Sequence, residues 1–195
     1  MRSNSISKLR TSRLGFTLIE LLVVIAILGI LATIALASFS SSQMKARDAQ
    51  RKSDLKAIAS ALEILYNDHE SYPFSTEDFG QASGLVIGCP FVPGGSSVNC
   101  SWGGTQQLTD AKTIYLKSMP KDPVGSRHYY YRSVSVNGVA HQGFQLYAHL
   151  ENSQDTNSCI GGNCGVHSDL PSMVNCGTDV SCNFSVTSSN VRPTD

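Results

Sequence analysis

One carboxylate stands where a carboxylate is costly. Glu20 lies inside an apolar run from Phe16 to Phe39, FTLIELLVVIAILGILATIALASF, whose other polar members are Thr17, Thr33 and Ser38. At about 1.5 Å of rise per residue, such a run is long enough to cross the hydrocarbon core of a bilayer. A carboxylate within a spanning helix costs roughly 2.5–3.5 kcal/mol on insertion scales, so it needs a partner or a task. A cut between Gly15 and Phe16 would supply the partner. It would free a positive α-amino group on Phe16, one helical turn from Glu20, and leave Glu20 in the first turn, where the helix dipole favours an anion. In a bundle of such helices the amine of one copy can equally meet the Glu20 of its neighbour and set the axial register of a polymer. The chemistry this pattern offers is charge pairing during assembly.

Other reactive residue types are present without a catalytic arrangement. The sequence holds no Gly-x-Ser-x-Gly, no His-Glu-x-x-His, no phosphate-binding glycine loop and no dinucleotide fingerprint. His69, His128, His141, His149 and His167 are scattered and read as surface or strand residues. Asn99-Cys-Ser and Asn183-Phe-Ser fit the glycosylation sequon, a pattern too short to carry weight alone. The cysteines, Cys89, Cys100, Cys159, Cys164, Cys176 and Cys182, all lie beyond the apolar run, and none forms a Cys-x-x-Cys pair. Their even number and their Gly/Ser/Asn-rich setting predict disulfides in an oxidising compartment rather than zinc ligation. Of the pairings six cysteines allow, we take the adjacent one: Cys89 with Cys100, Cys159 with Cys164, and Cys176 with Cys182.

The elements that position these residues follow from the hydrophobic pattern. Beyond the apolar run, Leu55, Ile58, Ala59, Leu62, Leu65 and Tyr66 recur at spacings of three and four, the signature of an amphipathic helix. No glycine or proline interrupts the chain between Ile30 and Tyr72, and Pro73 disfavours helix at the residue before it. One long helix from about Phe16 to about Asp68 is predicted, with Lys45 to Lys56 as a solvated or subunit-facing surface. A short helix is expected over Thr109 to Lys117, before the extended turn at Pro120-Lys121-Asp122-Pro123. A hairpin follows. Tyr129 to Val136 leads into Asn137-Gly138, the preferred pair of a type I′ turn, and Val139 to Leu150 returns. On the return, Phe144, Leu146, Ala148 and Leu150 should face the helix, and Gln145, Tyr147 and His149 should face water. After Glu151 order is expected to fade, and Ser185 to Asp195 reads as a loose tail.

Charge sorts the chain into parts. Arg2, Lys8, Arg10 and Arg13 precede the apolar run with no acidic residue among them, which should hold the N-terminus in the cytoplasm. Without those four, fifteen basic residues fall to eleven against fifteen acidic ones, a net of −4. A mildly acidic body argues against general nucleic-acid binding, and no nucleic-acid partner is expected.

Leu14-Gly15-Phe16-Thr17-Leu18-Ile19-Glu20-Leu21-Leu22-Val23-Val24 resembles the N-terminal signal of type IV pilins and type II secretion pseudopilins. The Tyr72-Pro73 stop and the Pro120-Lys121-Asp122-Pro123 turn are similar to features of the same family. The resemblance implies cleavage after Gly15 by a prepilin peptidase, N-methylation of Phe16 and use of Glu20 in assembly. Many members carry a proline where this chain has Ala37, so the helix melting associated with that proline is not carried over. The implied fold is α+β: a cleaved leader (1–15), a transmembrane and assembly helix (16–39), its amphipathic continuation (40–72), and a head (73–195) with a short antiparallel sheet and disulfide-rich loops. Major pseudopilins have a calcium site in a loop after the sheet, and Glu151 to Asp155 offers hard oxygen ligands in such a place. Its spacing is not that of an EF-hand, and Asp and Asn favour turns in any case, so no metal or other cofactor is expected.

The leading expectation is a non-enzymatic filament subunit. It would be inserted in a bacterial inner membrane with its head outside, in contact with membrane lipid. It would polymerise with itself and minor pilins on an inner-membrane assembly platform. The Pro-Lys-Asp-Pro turn favours a type II secretion major pseudopilin, whereas the cysteine-rich C-terminal region leans towards a pilus. A minor or tip subunit with a binding role is a further alternative, and a tethered enzyme would require catalytic residues that the sequence does not display.

Overall fold

The computed structural model describes residues 15–81, 83–92, 98–110, 112–152, 154–157, 174–178 and 180–191, and at 35–37 the backbone alone. The chain divides after Ser42 into two units. The division falls inside α1 (Leu18–His69). In the first unit, the large apolar side chains from Phe16 to Ile34 are exposed, and the helix is long and apolar enough to cross a membrane.

In the second unit, Leu55, Ile58, Leu62 and Leu65 are fully buried, as the three-and-four spacing predicts. Each such side chain removed from water contributes about 1.5–3 kcal/mol. They pack on a head built from antiparallel strands in three small sheets. β1 (Phe74–Ser75), β2 (Val86–Ile87) and β3 (Asn99–Cys100) form the first sheet, with a short 3-10 turn (Thr76–Phe79) after β1. β4 (Leu108–Thr109) pairs with β5 (Ile114–Leu116). The third sheet has the order β6 (Tyr130–Val136), β7 (Val139–Ala148) and β8 (Phe184–Thr187).

The β6–β7 hairpin has the expected Asn137-Gly138 turn, both residues at positive φ (52° and 82°), as a type I′ turn requires. Period-two alternation sorts three consecutive tyrosines. Tyr129 and Tyr131 join the core against α1, and Tyr130 points to the opposite side. All three are at most 1% exposed, and their hydroxyls bond Asp54, Glu77 and the Pro73 carbonyl respectively.

Three expectations fail here for identifiable reasons. Where a helix is expected over 109–117, β4 and β5 pair as antiparallel strands. Asp110 Oδ1 accepts the backbone N–H groups of Lys112 and Thr113 (2.9 and 2.6 Å), a turn that competes with helix, and the β-branched and aromatic Ile114-Tyr115 suit a strand. The outer face of β7 is dry over its second half. Gln145 and Tyr147 are fully buried: Tyr147 forms a second small core with Tyr130, Val174, Cys176 and Cys182, and its hydroxyl donates to Gln145 Oε1 at 2.9 Å. The expected tail instead begins as β8, in register with β7 from Phe184 opposite Ala148 to Thr187 opposite Gln145. Val191 then packs where Gly143 leaves room, since a Cβ there would meet Val191 Cγ2 at 2.1 Å.

Candidate assembly site

In the first unit, Thr17 and Glu20 form a reciprocal cap at the start of α1. The Thr17 backbone N–H and hydroxyl both donate to Glu20 Oε2 (2.9 and 2.7 Å), while the Glu20 N–H donates to Thr17 Oγ1 at 3.3 Å. This is a capping box, and it satisfies orphan donors of the first turn while placing the carboxylate at the positive end of the helix. Thr-x-x-Glu before an apolar run is a capping-box signature readable from sequence, and it makes Thr17 a partner of Glu20 within the chain. Glu20 is thus held at the helix start by the chain itself, beside Phe16, which is 85% exposed. Both donors use Oε2, and no described residue bonds Oε1.

In the second unit, the stretch expected to be solvated holds a buried ion network. Arg51 is fully buried and forms a two-pronged pair with Asp122, Nε to Oδ2 at 2.8 Å and Nη2 to Oδ1 at 2.9 Å. Its Nη1 donates to Asp48 Oδ1 and lies equally close, 2.7 Å, to Glu151 Oε1. Asp48 in turn accepts the backbone N–H groups of Glu151 and Asn152, at 2.9 and 2.8 Å. Asp122 also accepts the Val124 N–H at 2.8 Å, which closes the Pro-Lys-Asp-Pro turn. Arg47 bonds both oxygens of Glu151, and Arg127 Nη1 lies 3.2 Å from Oε1 without hydrogen-bond alignment. Three guanidinium groups therefore balance three carboxylates, and one helix side chain fixes both the 120–124 turn and the start of the 151–155 loop. The hydrogen bonds from Arg47, with Arg51 behind them, outweigh burial and hold the Glu151 carboxyl down at about 2. The missed signal was one of phase: Asp48 and Arg51 continue the stripe of Leu55, Ile58, Leu62 and Leu65 by the same three-and-four steps.

The remaining candidates are placed as follows. Cys89–Cys100 and Cys176–Cys182 are bonded as adjacent pairs, while Cys159 and Cys164 lie outside the described residues. Asp155 is paired with Lys52 at 2.6 Å. With Glu151 shared among arginines, neither carboxylate of the suggested calcium loop stands as an open ligand. Ser133 Oγ lies 2.8 Å from His141 Nδ1, but this hydroxyl is buried and donates to Asp78, while the His141 ring packs tilted against Phe74, 4.1 Å between centroids. Through Asp78 the Ser133 hydroxyl braces the hairpin against the 3-10 turn.

An exposed apolar helix with a charged cap at its start, continuing into a small antiparallel head, defines the pilin-like class of α+β proteins. Residues 10–36 match the family model of the prokaryotic N-terminal methylation motif. Over 121 residues the chain is 37% identical to type II secretion system core protein G of Pseudomonas aeruginosa, covering 62% of this chain and 75% of that protein. A protein of the same description from Escherichia coli is 29% identical over 68% of this chain and 77% of its own length. The type IV major pilin protein PilA of Myxococcus xanthus is 35% identical over 40% of this chain and 35% of its own. No solved structure matches. The chain belongs to the family of type IV pilins and type II secretion pseudopilins.

Proposed function

We propose that this protein is a structural subunit of a pilin-like filament, inserted as a precursor, cut after Gly15, N-methylated on Phe16 and polymerised through its apolar helix. The observation that carries the reading is the junction itself. Gly15-Phe16 immediately precedes a capped helix whose first turn holds Glu20 and whose following turns are exposed and apolar. Moving such a surface from lipid into a bundle of like helices leaves it covered, and a Glu20 carboxylate facing a neighbour's Phe16 amine contributes a charge-assisted bond where few water molecules compete. The head supplies the outer surface, and its ion network keeps head and helix stretch together as one part. The partners on this reading are a prepilin peptidase and methylase, further pilin-like subunits and a membrane assembly platform.

A second reading places the filament in type II secretion. It is favoured by the likeness to core protein G, which extends over 121 residues and so must continue past the 52-residue helix into the head. Intact mass of the membrane-extracted protein, co-produced with a prepilin peptidase, tests the processing step. A chain beginning at N-methyl-Phe16, absent in Gly15→Ala, is expected. A product retaining residues 1–15, or one cut near Ala35 to Ser38, would overturn the proposal.

A further inference from the structure

On the head, three fixed segments meet around an open cleft of about 400 Å³, lined by Ser83, Leu85, Trp102, His128 and Asn175. Trp102 is the sole tryptophan of the chain and is half-buried, with its inner side packed on the main core. Its position is fixed twice: Nε1 donates to the Gly84 carbonyl at 3.2 Å, and the ring meets Tyr129 edge-on at 5.7 Å between centroids. The Gly84 carbonyl also accepts the Tyr131 N–H at 2.9 Å, so the segment opposite the indole is tied to the central hairpin. The third segment is held by the Cys176–Cys182 bridge and by the His128 N–H, which donates to the Cys176 carbonyl at 2.9 Å. Asn175 and His128 are thereby set beside the indole.

We propose that this cleft binds a neutral saccharide, with one pyranose ring lying against Trp102. The lining combines one rigid aromatic surface with a hydroxyl, an imidazole and a carboxamide, and among the described residues it contains no carboxylate, lysine or arginine. The negative face of an indole attracts the polarised C–H face of a sugar ring. Ser83, His128 and Asn175 offer both donors and acceptors to the hydroxyl groups at its edge. An ionic ligand would find no permanently charged side chain among the described lining residues, and a purely apolar one would leave the three polar groups without a partner from the ligand. The volume lies within the range of small-molecule sites, and the fixed walls lower the ordering cost of binding. This inference stands apart from the filament reading: the cleft belongs to the head whether or not the helix polymerises.

The single tryptophan provides the test. The full-length protein, held in a zwitterionic detergent without a sugar headgroup, is titrated with the methyl glycosides of glucose, galactose, mannose and N-acetylglucosamine and with their disaccharides. Trp102 emission and saturation-transfer NMR are read together. The proposal expects a saturable emission change with at least one saccharide, and a transfer signal on its ring protons. Affinity should weaken about tenfold or more in His128→Ala and Asn175→Ala, each removing one of the edge hydrogen bonds. Trp102→Phe, followed by NMR alone, should weaken it further. Absence of a saturable response to every saccharide overturns the proposal. So does binding that is unchanged in His128→Ala and Asn175→Ala, which would place the sugar elsewhere.

Discussion

Arg51 is a large, permanently charged side chain at a position where the helix pattern calls for leucine. Its burial is tolerable only because Asp122, Asp48 and Glu151 surround it. Removing it leaves buried carboxylates without a counter-charge, so Arg51→Ala should destabilise the head by about 3–5 kcal/mol. Arg51→Lys should recover only part of this, since an ammonium cannot reproduce the two-pronged bond to Asp122. Urea unfolding of the detergent-held protein, followed by Trp102 emission, measures both; equal stability of Arg51→Ala and the parent would refute the role given to the network. Acid should act through the same group. Glu151 sits at about 2 in the folded chain against an ordinary 4.5, so its contribution is complete above about pH 4.5 and is lost as pH falls towards 2. Arg47→Ala, which removes the leading cause of that depression, should move the acid unfolding limb to higher pH. The residues of this network were legible one by one and not as a group. Charges at 47, 48, 51 and 52 read as a solvated face until the helix phase puts 48 and 51 on the buried stripe, and only the tertiary fold brings residues 122 and 151 to them.

At the scale of elements, the strongly periodic parts followed from sequence: the long helix, its leucine stripe, and the hairpin with its Asn-Gly turn. The β4–β5 hairpin did not, because a short polar–apolar stretch fits helix and strand alike and the Asp110 turn decides between them. β8 and the covered outer face of β7 did not either. Residues 174–178 and 180–182 carry few apolar side chains, and the bonded Cys176 and Cys182 pack with Val174 against Tyr130 and Tyr147. Opening that bridge with a Cys176→Ser, Cys182→Ser pair should cost about 2 kcal/mol in the chain-entropy account. Hydrogen exchange should then quicken at Tyr147 and in residues 174–182 while the leucine stripe of α1 stays protected. Uniform protection in the variant would mean that the loop packs without its bridge.

For the whole molecule, the two units present two kinds of surface: an exposed apolar helix, and a disulfide-pinned head whose described residues bury a core of their own. The central claim is that the chain polymerises and that Glu20 governs this step. The most direct measurement is the amount of mature protein in sheared filaments relative to membranes, for cells producing the parent chain or Glu20→Ala. The account predicts mature N-methylated protein in both membranes, with the sheared fraction reduced at least about tenfold for Glu20→Ala, as expected when a charge pair shielded from water is lost. Glu20→Ala filaments at the parental level, or a parent chain that is processed yet never leaves the membrane, would contradict it.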